Sequence, residues 1–183
     1  MKIAIHQPAF IPWFPFFYKM AMADKFIILG HVQFEKNNYQ NRYKTNNKWV
    51  TKSINSGTDL ISNKMYCDGN NVLDLNARWI QIIKDTLSIK TFTVFDYETS
   101  LTRTERLINL IHYYCGDVYI TNPDAKEKYL NEDLMRKAGI EIEYCRVPEH
   151  LKIHTFEAFE KYGIDGTIKQ LPKRINEFID SAV

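Results

Sequence analysis

Lys2-Ile3-Ala4-Ile5-His6-Gln7-Pro8 opens the chain, and Trp13-Phe14-Pro15-Phe16-Phe17-Tyr18-Lys19-Met20-Ala21-Met22-Ala23-Asp24-Lys25-Phe26-Ile27-Ile28-Leu29 follows closely behind. Lys2–Ile5 and Lys25–Leu29 are short, nearly continuous apolar runs, the pattern of strands covered on both faces in a parallel sheet. Between them Trp13, Phe16, Phe17, Met20 and Ala23 recur at helical spacing. Pro12 and Pro15 fit only in or before the first turn of that helix, where amide donors have no intrahelical acceptor. Strand, helix and strand over about 28 residues make a βαβ unit. Polar His6 and Gln7 stand where the first strand gives way to the helix, the junction at which open α/β sheets place ligands.

Outward from this unit the pattern changes and then returns. From Asn37 to about Ser56 the composition turns to Asn, Lys, Tyr and Thr, with Asn46-Asn47 as a turn between Tyr43-Lys44-Thr45 and Trp49-Val50-Thr51. This predicts an antiparallel excursion. A region with Gly57, Gly69, Asn70 and Asn71 precedes a second long helix, announced by Leu75, Trp79, Ile82, Ile83 and Leu87. Strands at Thr91–Phe95, Val118–Thr121 and Ile140–Tyr144 alternate with helices around Glu105–Tyr114 and Lys126–Lys137. Gly139 suits a helix C-cap, Asn122-Pro123-Asp124 a turn and helix start, and Pro172–Val183, with Ile175, Phe178 and Ile179, a terminal helix. The reading is a single α/β domain over residues 1–183, a mainly parallel sheet with helices on both faces and a small antiparallel excursion.

At 183 residues and 45% hydrophobic content the chain can build a real core. A formal charge of +2 is too small for a polyanion-binding protein, so nucleic acid is not favoured, although a local cationic patch for a phosphate is allowed. Cys67, Cys115 and Cys145 are odd in number and widely spaced, which fits reduced thiols in a cytoplasm. Only a short strand precedes His6-Gln7-Pro8, so no signal-peptide core is expected. Lys19, Asp24 and Lys25 interrupt the richest apolar stretch, so no membrane span is expected either. The chain lacks Gly-x-x-x-x-Gly-Lys-Ser/Thr, Gly-x-Gly-x-x-Gly and Gly-x-Ser-x-Gly, which weighs against P-loop, dinucleotide and α/β-hydrolase enzymes.

Several residues could carry chemistry. His6 would emerge at the carboxyl edge of the sheet, where an imidazole can act as a general base or polarise a carbonyl near neutral pH, or simply bond a loop carbonyl. His31 and Gln33 follow the next strand and would converge with it. A His6/His31 metal pair lacks an evident third ligand. Tyr39-Gln40-Asn41-Arg42-Tyr43-Lys44, with Trp49 and Lys52, combines aromatic faces, amides and cations: Arg42 could clamp a phosphate while Tyr39 or Trp49 stacks on a base or sugar ring. A solvated hairpin with a basic face is the plainer reading of the same composition. His150, His154 and Glu157 would share a face if helical, but Pro148 and Thr155 point to a loop entering a helix later, against a metal site.

His6-Gln7-Pro8, Val32-Gln33-Phe34-Glu35-Lys36 and Tyr39-Gln40-Asn41-Arg42 together resemble the opening of the WbqC-like proteins. Phe159 to Ile164-Asp165 resembles their C-terminal element in part; there Asp165 stands as the equivalent acid or as a helix N-cap. Two places depart from the family pattern: Gly30-His31 replaces the usual acidic residues before Val-Gln-Phe, and Thr121–Lys126 lacks the glycines of the loop after the fourth strand. The resemblance implies a role in bacterial surface-polysaccharide biosynthesis, O-antigen included: an N-acyltransferase or aminoacyltransferase acting on the amine of a nucleotide-linked amino sugar. His6 would take the amine proton, Gln7 or Gln33 would hold the acyl oxygen, and Arg42 with Lys44 or Lys52 would bind the diphosphate. Trp13, Tyr18, Lys19, His31, Tyr39, Gln40 and Asp165 complete the substrate-binding candidates. That reaction calls for an acyl or aminoacyl donor, and the sequence is compatible with a homo-oligomer. The alternatives are a nucleotidyltransferase-like sugar-nucleotide enzyme, whose His-x-Gly-His is replaced here by Phe10-Ile11-Pro12-Trp13, and a non-catalytic carbohydrate or partner-binding module.

Overall fold

Strand β1 (Lys2–His6) alternates between two apolar environments: Ile3 and Ile5 enter one core cluster, Ala4 the other. That alternation is repeated in the strands on either side of it, within a five-stranded sheet, in a computed structural model, which describes residues 1–35, 37–53, 66–67 and 70–173. Along the chain β1 is followed by α1 (Phe14–Met22), β2 (Lys25–Ile28), β3 (Arg42–Thr45), β4 (Lys48–Thr51), β5 (Tyr66–Cys67), β6 (Asn70–Asn71) and α2 (Val72–Thr86). Then come β7 (Phe92–Phe95), α3 (Arg103–Tyr113), β8 (Val118–Thr121), α4 (Ala125–Lys128), α5 (Glu132–Lys137), β9 (Glu141–Tyr144), a 3-10 turn (Glu149–Leu151) and α6 (Thr155–Ile168).

The sheet runs β7-β2-β1-β8-β9, with every pairing parallel; Ala4 is the partner of Phe26 on one side and of Ile120 on the other. In chain order its strands are third, second, first, fourth and fifth, so the winding reverses between β1 and β8. This is a doubly wound sheet with a switch point at those two strands. On one face Ala4, Phe26, Ile28 and Ile120 pack with Phe14, Phe17 and Met20 of α1, Ile80 and Ile83 of α2, and Ala158 of α6. On the other, Ile3, Ile5, Ile27 and Tyr119 pack with Leu107, Leu110 and Ile111 of α3 and Met135 of α5. The expected α/β class, with helices on both faces, is what the chain adopts.

The expected hairpin is β3–β4, paired antiparallel with Arg42 opposite Thr51. Asn46 and Asn47 have φ values of 47° and 60°, the left-handed pair that a two-residue hairpin turn requires and that Asn tolerates. Gly139, at φ 73°, ends α5 as expected. The helix expected over Lys126–Lys137 is instead two short helices. Thr104 Oγ1 donates to Tyr129 O at 3.0 Å and accepts from Asn131 N at 2.9 Å, and Asn131 Oδ1 caps α5 by accepting from Leu134 N. α6 starts at Thr155 and carries a kink at Gly163, where φ is 67° and ψ is 172°. Gly57 and the terminal helix beyond Lys173 lie outside the described residues, as does Gly69. Among the described residues no helix is long and apolar enough to cross a membrane.

Candidate functional site

A cleft of about 380 Å³ opens at the carboxyl ends of β1, β8 and β9, over the switch point. β1 contributes His6; the loop after β8 contributes Asn122 and Asp124; Cys145 and Arg146 follow β9. Trp13, Phe16 and Lys19 form its α1 side. The cleft lies at the carboxyl edge where the sequence led us to expect a pocket, but on the β8 side of His6 rather than the β2 side. The pocket forms on the β8 side because that is where the crossover connections diverge.

His6 Nδ1–H donates to the carbonyl of Gln7 at 2.8 Å, which leaves Nε2 with the lone pair. The ring stands edge-on to Phe16, 4.9 Å between centroids. Burial, and then the charge of Lys19, lower the imidazole pKa to about 3, against the smaller opposing effect of the Gln7 carbonyl. The general base expected near neutral pH is therefore corrected to a neutral hydrogen-bond acceptor of low basicity. Lys19 is only 3% exposed, and its Nζ donates to Ile5 O at 3.2 Å. Burial lowers its pKa to about 8, with Cys145 and Asp124 acting in the other direction. Burial likewise pushes the Cys145 thiol up to about 11, partly offset by Lys19. Half-buried Tyr18 packs on the adjoining core, its phenol raised by burial and then by Cys145.

Gln7 and Gln33 are exposed and do not line the cleft; they meet at the buried side chain of Gln40. Gln40 Nε2 donates to Gln7 Oε1 at 3.3 Å and to Gln33 O at 3.4 Å, while its Oε1 accepts from Glu35 N at 3.1 Å. Asn76 of α2 in turn donates to Gln40 O at 2.9 Å. Gln40 is thus a structural hub that ties the two strand-end glutamines to α2. His31 belongs to a third group. Its Nδ1–H donates to Asp96 Oδ1 at 3.2 Å, and the same oxygen accepts from Gly30 N at 2.6 Å and His31 N at 3.1 Å. Arg106 pairs with the other oxygen of Asp96 and donates to His31 O at 2.8 Å. Asp96 went unnoticed in the sequence, although an acid directly after an apolar strand was the available signal. It supplies a carboxylate where Gly30-His31 lacks one.

On the hairpin the Arg42 guanidinium lies over Trp49 at 4.1 Å, and Tyr39 flanks Trp49 at 5.7 Å. Arg42 Nε is buried with no partner among the described residues. Lys44 is exposed on the same strand, and Lys52 N donates to Asn41 O at 2.8 Å. The hairpin is anchored to α6: Tyr43 stacks on His154 at 4.6 Å, and Glu157 accepts from Thr45 Oγ1 at 3.1 Å and Asn46 N at 2.5 Å. His154 Nε2–H donates to Ile11 O at 3.0 Å and Thr155 Oγ1 to Pro12 O at 2.6 Å, fixing the loop between β1 and α1. In that loop Ile11 has φ 46°, a costly conformation for a β-branched residue. His154 and Glu157 therefore form a helix cap, with His154 kept neutral by burial despite Ile11 O and Glu157. Asp165 is exposed beyond the Gly163 kink, inside α6 rather than at an N-cap, and does not line the cleft. Among the described residues no group of three or more His, Cys, Asp or Glu is disposed to hold a metal ion.

A curated relative, the uncharacterized protein Rv1507c of Mycobacterium tuberculosis, is 26% identical over 186 residues, covering 77% of this chain and 80% of that one. No solved structure matches the chain. The model of the WbqC-like protein family matches residues 7–63 and 54–162, which take in the strand-end glutamines, the hairpin and the loops after β8 and β9. On that match the chain belongs to the WbqC-like protein family.

Proposed function

We propose that the protein transfers an acyl or aminoacyl group to the amine of a nucleotide-linked amino sugar, in bacterial surface-polysaccharide biosynthesis. The observation that carries this reading is His6, a neutral imidazole with its Nε2 lone pair free of the Gln7 bond, lining a ligand-sized cleft at the switch point. Attack of the neutral amine on the acyl carbon forms the C–N bond and turns the nitrogen into an acidic N⁺–H. His6 Nε2 accepts a hydrogen bond from that N–H and so orients it, and the proton leaves on the departing group as the bond to the acyl carbon breaks. The Gln7 amide, next in sequence but outside the cleft wall, would have to reach in from its bond with Gln40 to steady the acyl oxygen, and Tyr39, Trp49 and Arg42 offer a stacking and cationic surface for the nucleotide.

Calorimetric titration with a panel of nucleotide-linked amino sugars, each beside its N-acylated form, tests the reading. Free amines should bind more tightly than their acylated products, and His6→Asn should abolish transfer while keeping affinity within a few-fold. Equal binding of both forms, with transfer unaffected by His6→Asn, would overturn it. A non-catalytic carbohydrate-binding module is the second reading, favoured by the low basicity of His6; it expects tight sugar binding and no product with any donor.

A further inference from the structure

We infer that the cleft contains an oxyanion subsite, with Lys19 at its floor and Arg146 at its rim, built to hold a phosphate or carboxylate group of the ligand. This rests on reading the cleft as the ligand site, but not on the transfer reaction. Lys19 is 3% exposed, yet it lines the cavity. An ammonium carries three donors. Ile5 O takes one at 3.2 Å, and among the described residues no carboxylate forms an ion pair with Nζ. A buried ammonium left this way is costly unless something else supplies negative charge.

The rest of the cleft supplies little of it. Asp124, the one carboxylate on its wall among the described residues, acts weakly on Lys19 and is itself paired with Lys128 at 2.5 Å. Lys152 is paired with Glu149 at 2.6 Å, whereas Arg146 is exposed at the mouth. Cys145 stays a neutral thiol, and His6, bound through Nδ1 to Gln7, is neutral too. The cavity is thus left with an excess of positive charge from a buried ammonium and a rim guanidinium, enclosed by the apolar surfaces of Trp13, Phe16 and Val147. Charge-assisted bonds to an oxyanion are strongest in such a low-polarity enclosure. The oxyanion would come either from the diphosphate of the sugar nucleotide or from the carboxyl group of the acyl partner, and the chemistry of recognition is the same.

Two probes separate the sources: inorganic pyrophosphate for the diphosphate and acetate for the carboxylate, each titrated calorimetrically into the full chain. The wild type should bind one of them. Lys19→Met should weaken that binding by about tenfold or more, Arg146→Ala by several-fold, and Arg136→Ala, on α5 outside the cleft, by less than about twofold. Thermal melting verifies that each variant is folded; should Lys19→Met fail to fold, Arg146→Ala decides alone. Wild-type binding of neither probe, or a folded Lys19→Met that binds as the wild type does, would overturn the subsite. Loss of transfer activity on every amino sugar with pyrophosphate binding intact would instead overturn the transferase reading and leave the subsite standing.

Discussion

Replacing Lys19 by Met should stabilise the protein, an unusual outcome for a change at a buried position. The ammonium titrates at about 8 in the folded protein rather than at 10.5, chiefly because burial disfavours its charge. At about 1.4 kcal/mol per pH unit this corresponds to a penalty of roughly 3 kcal/mol on the charged form. Met fills a similar volume without charge and forfeits the bond to Ile5 O, which contributes about 1 kcal/mol, so a net gain of about 1–2 kcal/mol is expected at pH 7. The sign follows from linkage. Because the folded value lies below the unfolded one, the unfolded chain holds the proton more tightly between about pH 8 and 10.5. Wild-type stability should therefore rise with pH through that window relative to the variant, and the penalty is fully present below 8. Urea denaturation followed by circular dichroism at pH 7, 9 and 10.5 gives the difference directly. A variant less stable than the wild type at pH 7, or a difference independent of pH, would show that the fold already compensates the charge.

Four further outcomes are expected. Arg42→Lys keeps the charge but loses the planar guanidinium over Trp49, and should weaken nucleotide-sugar binding by roughly 1–3 kcal/mol, with Arg42→Ala costing more; calorimetry at fixed salt measures both. The same Ala variant should lower stability by about 1–2 kcal/mol, the range of a half-buried cation–π contact, in a denaturant titration. His154→Ala removes the bond that holds Ile11 O and the stacking partner of Tyr43, and should cost about 2–3 kcal/mol of stability by the same assay. Burial raises the Glu157 carboxyl pKa, but bonds from Asn46, His154 and Thr45 outweigh it and hold the net value below the ordinary range. The stabilisation from Glu157 is therefore present above the unfolded value and lost as pH falls through the folded one; Glu157→Gln should flatten this acid limb in pH-dependent melting.

The sheet was legible in the first 29 residues because a strand buried on both faces leaves an uninterrupted apolar run, and a helix beside it leaves its spacing. The hairpin was legible from Asn46-Asn47, whose residues tolerate positive φ. What the chain did not disclose is strand order. That β8 rather than β2 shares the cleft with β1 depends on long-range pairing, so Lys19, Asn122, Cys145 and Arg146 meet only after folding. For the same reason Gln33 and His31, though close to His6 in the linear pattern, belong to neighbouring groups. The split of Lys126–Lys137 was hidden because it rests on the Thr104 hydroxyl, which is remote in sequence and bonds to both sides of the break.

Neighbouring main-chain and amide groups decide what His6 and Gln7 can offer. The Gln7 carbonyl occupies the donor nitrogen of His6, so that imidazole offers the cleft only an electron pair. The Gln40 amide donates to one lone pair of the Gln7 oxygen and so fixes which end of that amide faces Gln40. Two consecutive residues therefore serve different neighbourhoods: the first lends its acceptor to the cleft, and the second ties the same strand end to a hub outside it.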